Sequence, residues 1–346
     1  MGSLNPTNTN ISLPIINISP TNPSAPAQLL SAASQYGFVF IENTPDIGIP
    51  PAQIAHLFEL SQTFFAAPTE VKERVSIASN VAGKNHGWLS RGVETLDPGV
   101  QVRADVKEAF NIGEPINGKL QQPLPTPLQP HASDIIAFQS ACHTFCLTLF
   151  RQFARALALP DEEWFTSRHD STCGQSGTVL RLLYYPCTPE YEADIDIRAG
   201  AHSDFGSVTL LFQLPGQTGL EIRTQGGDWA GVPVDPSRQP PPPSITDQPL
   251  PILINFGDLL EDWTGGLFKS TVHRVVFPPG GGEQRDRYSI AYFCHPLDEA
   301  RLEAVPSAVV EEFAARTGKT GSRGGKVLTA RDHLMERLAS TYTIAR

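Results

Sequence analysis

Three side chains in the second half of the chain have the types and spacing of a metal centre. His202 and Asp204 stand two positions apart in Arg198-Ala-Gly-Ala-His-Ser-Asp-Phe-Gly, ahead of the apolar run Val208 to Gln213. Alternate side chains of a strand leave the same face, so this spacing predicts that both reach one ion from a single strand. His273, in the β-branched run Ser270-Thr-Val-His-Arg-Val-Val, offers a third donor. Two imidazoles and a carboxylate on one side of a metal leave the opposite positions open, an arrangement suited to non-haem Fe(II) activating dioxygen. A His-x-Asp pair alone is more often a simple hydrogen-bonded pair. The reading turns on a second group downstream.

That group is Arg287-Tyr-Ser289 in Asp-Arg-Tyr-Ser-Ile-Ala-Tyr-Phe. Period two puts Arg287, Ser289, Ala291 and Phe293 on one strand face, with Tyr288, Ile290 and Tyr292 on the other. A guanidinium beside a hydroxyl is a carboxylate receptor. Each charge-assisted bond contributes about 1.5–3 kcal/mol, and a buried arginine without an anion is costly.

With these groups, the chain resembles the Fe(II)- and 2-oxoglutarate-dependent dioxygenases of the isopenicillin N synthase-like family. The likeness spans nearly the whole chain and keeps the family's motif order: Leu13-Pro-Ile-Ile-Asn17, Tyr36-Gly-Phe-Val-Phe-Ile-Glu-Asn43, Phe64-Phe-Ala-Ala-Pro68-Thr-Glu-Val-Lys72 and Asp105-Val-Lys-Glu108-Ala-Phe. Within the family, the fungal enzymes of the thymine 7-hydroxylase type are similar through Leu180-Arg-Leu-Leu-Tyr-Tyr-Pro186, Arg198-Ala-Gly-x-His202 and Ser270-Thr-Val-His-Arg-Val-Val276. The resemblance implies Fe(II), 2-oxoglutarate as cosubstrate, dioxygen (O2) as oxidant, and release of succinate and carbon dioxide. It assigns His202, Asp204 and His273 to the metal and Arg287 and Ser289 to the far carboxylate of the cosubstrate. Tyr185 matches a cosubstrate-contacting tyrosine of plant members, although those often have asparagine where this chain has Leu183. Arg181, Phe205 and Phe293 match substrate-binding positions. Thr178 stands where the thymine enzymes use an amide side chain, so the expected substrate is a planar aromatic or heterocyclic molecule with an anionic or carbonyl group facing Arg181.

Something must hold these groups together, and after Thr178 the chain is a series of short β-rich runs punctuated by Gly and Pro. The runs are Val179 to Tyr185, Val208 to Gln213, Leu220 to Thr224, Ile252 to Phe256, Thr271 to Phe277 and Arg287 to Phe293. This pattern predicts an α+β fold with a double-stranded β-helix (jelly-roll) core and flanking helices. Helices are predicted from Ala27 to Gln35, from Pro50 to before Pro68, from Ser133 to Leu159 as a spine, and from Leu328 to Thr341 near the barrel mouth. Strands are predicted at Pro14 to Ile18 and Gly37 to Ile41. Residues 1–132 form an N-terminal mixed region and residues 133–346 the spine helix, jelly-roll and C-terminal helix, as one compact unit. Pro240 to Pro243 mark an exposed loop within Asp235 to Pro251, and Gly280-Gly-Gly a return loop.

Composition narrows the function classes. A chain of 346 residues with 40% hydrophobic and 18% charged residues is a globular protein with ample core. The net charge of −10 argues against nucleic acid or an anionic membrane as partner. A small-molecule substrate is expected, with no obligate protein partner. Five unevenly spaced cysteines describe neither a disulfide framework nor a zinc site. Cys142 and Cys146 read as small core residues, and Cys173, Cys187 and Cys294 take the same reading. With neither a membrane-length apolar run nor a leader pattern, a cytoplasmic location is expected. His56, His86, His131, His143, His169 and His333 lack an adjacent ligand and read as surface or structural; His295 is placed near the entrance. Two other functions share this fold: a ferrous oxidase performing cyclisation, desaturation or ring expansion, and a silent ligand-binding homologue.

Overall fold

The computed structural model describes residues 9–79, 85–187, 191–192, 195–236, 249–277, 285–318 and 327–341. Most of the proline-rich segment, including Pro240 to Pro243, and the Gly280 loop lie outside these residues. Strand β1 (Ile15–Ile16), helix α1 (Ala25–Gln35) and β2 (Phe38–Ile41) come first. Gly37 joins α1 to β2 at φ 66°, where a side chain would strike the Lys269 carbonyl. Helix α2 (Pro51–Phe65) opens on a proline and buries Ile54, Leu57, Phe58, Phe64 and Phe65 at helical spacing. Next come α3 (Thr69–Glu73), β3 (Gly87–Leu89) and β4 (Glu108–Gly113), and then the long spine α4 (Ala132–Ala156). Seven strands follow in the second half: β5 (Val179–Tyr185), β6 (Ala199–His202), β7 (Val208–Gln213), β8 (Leu220–Arg223), β9 (Trp229–Gly231), β10 (Ile252–Phe256) and β11 (His273–Val275), with α5 (Asp258–Trp263) between the last two. Strand β12 (Arg287–Cys294), α6 (Ala308–Thr317) and α7 (Ala330–Thr341) close the chain.

The strands form two sheets, the α+β jelly-roll arrangement expected from the sequence. One has eight strands in the order β1-β2-β10-β7-β12-β5-β4-β3, and the other has four in the order β6-β11-β8-β9. Strict alternation gives the large sheet two apolar faces. Val39, Ile112, Leu182, Leu210, Ile254 and Ile290 pack in one core with α1, α2 and α4. Phe40, Ala109, Leu183, Leu253 and Ala291 point the other way and meet Ala199, Leu220, Ile222 and Val275 of the small sheet. Both faces are therefore buried, and the functional cavity opens between the sheets. Cys142, Cys146 and Cys294 are buried as read; Cys173 is exposed.

One expectation about the site fails. His202 and Asp204 do not share a strand: β6 ends at His202, β7 begins at Val208, and the two belong to different sheets. The intervening residues cross from sheet to sheet, so Asp204 reaches the histidines from a loop. That loop is tied at its base, where the Asp258 and Leu259 amides donate to the Asp204 and Gly206 carbonyls. Gly257 is needed because a Cβ there would overlap the Gly206 carbonyl. The run at Thr271 to Phe277 is a strand only over His273–Val275, and its pairing with β6 shifts register there. Strand β4 had no strand signature, since Glu-Ala-Phe-Asn-Ile-Gly lacks a β-branched run.

Candidate active site

Cross-strand pairing sets His273 of β11 directly opposite His202 of β6, with ring centroids 4.3 Å apart. Each imidazole turns Nδ1 to a backbone carbonyl two residues back: His202 to Gly200 at 2.8 Å, His273 to Thr271 at 3.1 Å. A carbonyl can only accept, so Nδ1 donates in both rings and Nε2 is the atom turned toward Asp204. These Nε2 atoms lie 3.9 and 3.7 Å from Asp204 Oδ1. The other carboxylate oxygen accepts from Thr209 at 2.5 Å and Asn255 at 2.6 Å, which are themselves paired across β7 and β10. Burial, then the neighbouring His273, pushes the pKa of His202 down to about 3. Burial alone would raise that of Asp204, but the two imidazoles and the two hydrogen bonds outweigh it and hold the group below the usual carboxylate range. Two imidazoles with Nε2 turned toward one carboxylate, that carboxylate held ionised, and outer partners fixing all three are a donor set into which Fe(II) fits.

A cavity of about 120 Å³ runs from this triad along the inner face of the large sheet. Arg287, Ser289, Ala291 and Phe293 of β12 line it, as do Arg181, Leu183 and Tyr185 of β5. Arg287 pairs with Tyr185 and Ser289 with Leu183 in the ladder. Arg287 is 2% exposed, and no carboxylate pairs with it among the described residues. Its contacts are to the oxygens of Ser289, Gln213 and Gln217, each at 3.3 Å, and the ring of Tyr185 lies 4.9 Å from the guanidinium carbon. Arg198, also buried, stands close enough that burial and then Arg287 push its pKa down to about 10. Two buried cations supply strong positive potential at this end of the cavity, and an anion of cosubstrate type fits it.

The remaining wall joins Arg181 to charges to which the sequence assigned no role. Arg181 donates to Glu94 at 2.7 Å, and Lys107 bridges Glu94 at 2.8 Å and Asp105 at 2.6 Å. Burial opposes the charge on Glu94, but Arg181 and Lys107 prevail and keep it a carboxylate. Arg181, expected to face an anionic or carbonyl group of the substrate, is half of a buried ion pair. Asp105 also accepts from the Gly200 amide at 3.0 Å, and the Gly200 carbonyl holds His202. This wall is thus continuous with the metal triad. Phe293 and Phe205 line the cavity from different elements. Phe205 lies beneath the Arg337 guanidinium of α7, 4.6 Å away, and Arg337 also reaches Ser203 at 3.1 Å and Asp258 at 3.2 Å. Leu334 and Leu338 of the same helix line the cavity, so α7 covers its mouth. His295 lines it too, while His169 is a buried bridge between the Phe165 carbonyl and Ser207.

Comparison with known proteins agrees with this geometry. Residues 176–296 match the 2OG-Fe(II) oxygenase superfamily, and residues 13–131 the N-terminal region described as non-haem dioxygenase in morphine synthesis. Proline hydroxylase buaE of Petromyces alliaceus is 31% identical over 91% of this chain and 92% of its own length. The 2-oxoglutarate-dependent dioxygenase gloF of Glarea lozoyensis is 29% identical over 80% of this chain and 84% of its own. The full-length Neurospora crassa T7H, solved with α-ketoglutarate and thymine, superposes with a TM-score of 0.73 at 26% identity, covering 98% of this chain and 99% of that one. No described helix is long and apolar enough to cross a membrane. A β-sandwich that sets two histidines and an aspartate at one end of a cavity and, at the other, an arginine with no carboxylate partner among the described residues, in a chain this similar throughout to such enzymes, belongs to the Fe(II)- and 2-oxoglutarate-dependent oxygenase superfamily.

Proposed function

We propose that this oxygenase hydroxylates a small, flat heterocyclic or aromatic molecule with neutral polar groups, in catabolism or secondary metabolism. His202, Asp204 and His273 hold Fe(II), Arg287 and Ser289 bind the far carboxylate of 2-oxoglutarate with Tyr185 beside them, and Arg181, Phe205 and Phe293 receive the substrate. The observation that carries this division is Arg287, buried in the same cavity as the triad and facing no carboxylate among the described residues. Bound iron and cosubstrate supply the oxidising power, with dioxygen as oxidant and succinate and carbon dioxide as by-products. The chain's residues orient, bind and exclude water. Thr209 and Asn255 fix the Asp204 carboxylate, the Gly200 and Thr271 carbonyls fix the imidazoles, and α7 shields the mouth.

Charge balance supports a neutral substrate. Glu94, Asp105, Lys107 and Arg181 compensate one another, so a lone anion at Arg181 competes with a carboxylate already in place. A carbonyl or amide accepts from Arg181 without displacing Glu94, and Phe205 and Phe293 offer aromatic surface. A cytosolic location and independence of nucleic acid, membrane and protein partners complete the proposal. Its test is a titration of the protein, loaded with Fe(II) and 2-oxoglutarate, against pyrimidine-like heterocycles and free amino acids. A flat neutral ligand is expected to stimulate succinate release, and Phe293→Ala and Arg181→Ala to weaken its binding by about tenfold each. Unchanged affinity in both variants, or stimulation by free proline alone, overturns the substrate assignment.

A further inference from the structure

Away from the cavity, in the helical layer, the fold brings together two histidines and an aspartate that lie far apart or unremarked in the sequence. His56 projects from α2, His131 is the residue preceding α4, and Asp134 lies in the first turn of α4. One carboxylate oxygen, Asp134 Oδ2, is 3.1 Å from His56 Nε2 and 3.3 Å from His131 Nδ1. The two rings are edge to face with centroids 5.3 Å apart, and the three donor atoms all fall within 4.8 Å of one another. We propose that His56, His131 and Asp134 form a second metal site, which binds a borderline divalent ion such as Zn2+ and clips α2 to α4.

Three features favour an ion. Ligands of tetrahedral Zn2+ at about 2.0–2.1 Å stand about 3.3 Å apart, which matches the two nitrogen–oxygen separations here. The outer nitrogen of His56, Nδ1, faces the Glu59 carboxylate at 3.7 Å, the outer-partner arrangement that orients metal-bound imidazoles. The three side chains are also 36–46% exposed, so an ion can enter from solvent and keep water in its remaining position. The same distances suit two hydrogen bonds without an ion, and the experiment must separate the two cases.

The full-length protein, stripped by chelator dialysis, is titrated calorimetrically with Zn2+ and its bound metal is then counted. The wild type is expected to take two ions per chain, and Asp204→Ala, which damages the cavity triad, to keep one. His56→Ala and His131→Ala should each weaken the remote site at least tenfold while leaving 2-oxoglutarate turnover unchanged. Zn2+ is also expected to raise the melting temperature of Asp204→Ala but not of Asp204→Ala combined with His56→Ala. Should an alanine variant unfold, Asp134→Asn carries the same comparison, because it keeps hydrogen-bonding capacity but removes the anionic ligand. A single ion in the wild type that is lost in Asp204→Ala, or a second ion that survives all three remote substitutions, overturns the proposal.

Discussion

Among single residues, Arg287 carries the most specific consequence. A guanidinium 4.9 Å from the Tyr185 ring and beside Ser289 can form two parallel bonds to a carboxylate, whereas an ammonium offers a point charge. Arg287→Lys is expected to raise the KM for 2-oxoglutarate by about 10–100-fold, the equivalent of 1.5–3 kcal/mol, and to leave that for the prime substrate within about twofold. Steady-state kinetics in each substrate checks this; equal rises in both would mean that Arg287 does not discriminate the cosubstrate. His169 gives a pH dependence of stability. Burial pushes its pKa down to about 3, so between its ordinary value near 6.5 and about 3 the unfolded chain binds a proton that the folded chain does not. Stability from this residue is therefore lost as pH falls through that window. In thermal melts from pH 7 to 4, His169→Gln should show a shallower decline than wild type, and parallel declines would contradict the assignment. That His202, Asp204 and His273 meet, and that Arg287 and Ser289 line the same cavity, was legible from residue type, from the two-residue spacing within each pair and from the β-branched run around His273. Glu94, Lys107, Thr209 and Asn255 were not, because their meaning depends on strand register and loop closure between distant segments.

For the elements, periodicity and breakers served well where packing agrees with local preference. Val179–Tyr185, Val208–Gln213 and Ile252–Phe256 have the predicted limits, and α2 and α4 differ from expectation by a few residues at their ends. The single strand expected for His202 and Asp204 is not formed because Ser203 to Ser207 join two sheets, and local sequence does not reveal a change of sheet. Helix α7 is an element whose sequence gave its extent but not its contacts. Arg337 ties it to Ser203, between two members of the triad, and to Asp258 at the start of α5. Arg337→Ala is expected to loosen this cover, raising the prime-substrate KM several-fold and increasing cosubstrate consumption uncoupled from product, with little change in the KM for 2-oxoglutarate. An unchanged ratio of succinate to product would show that α7 does not seal the cavity through this residue.

Across the whole molecule, the large sheet interleaves the two halves of the chain. Strand β2 pairs with β10, and β4 pairs with β5, so residues 1–132 supply four of the eight strands, β1 to β4. Glu94, Asp105 and Lys107 of that half also face Arg181 and Gly200 of the other. A chain reduced to residues 133–346 is expected to be insoluble or molten, without a cooperative melt, because it exposes both β5 and β10 as unpaired edges and uncovers the helical core. A cooperative melt of that fragment would show that the halves fold separately. The assembled molecule serves one claim above all, that the cavity couples 2-oxoglutarate decarboxylation to oxidation of a second molecule at the His202, Asp204 and His273 centre. The direct measurement is succinate and product counted together under Fe(II), ascorbate and dioxygen, in wild type and Asp204→Ala. One succinate per product in wild type, and neither in Asp204→Ala, is the expected result; product without succinate, or turnover that survives Asp204→Ala, would contradict the claim.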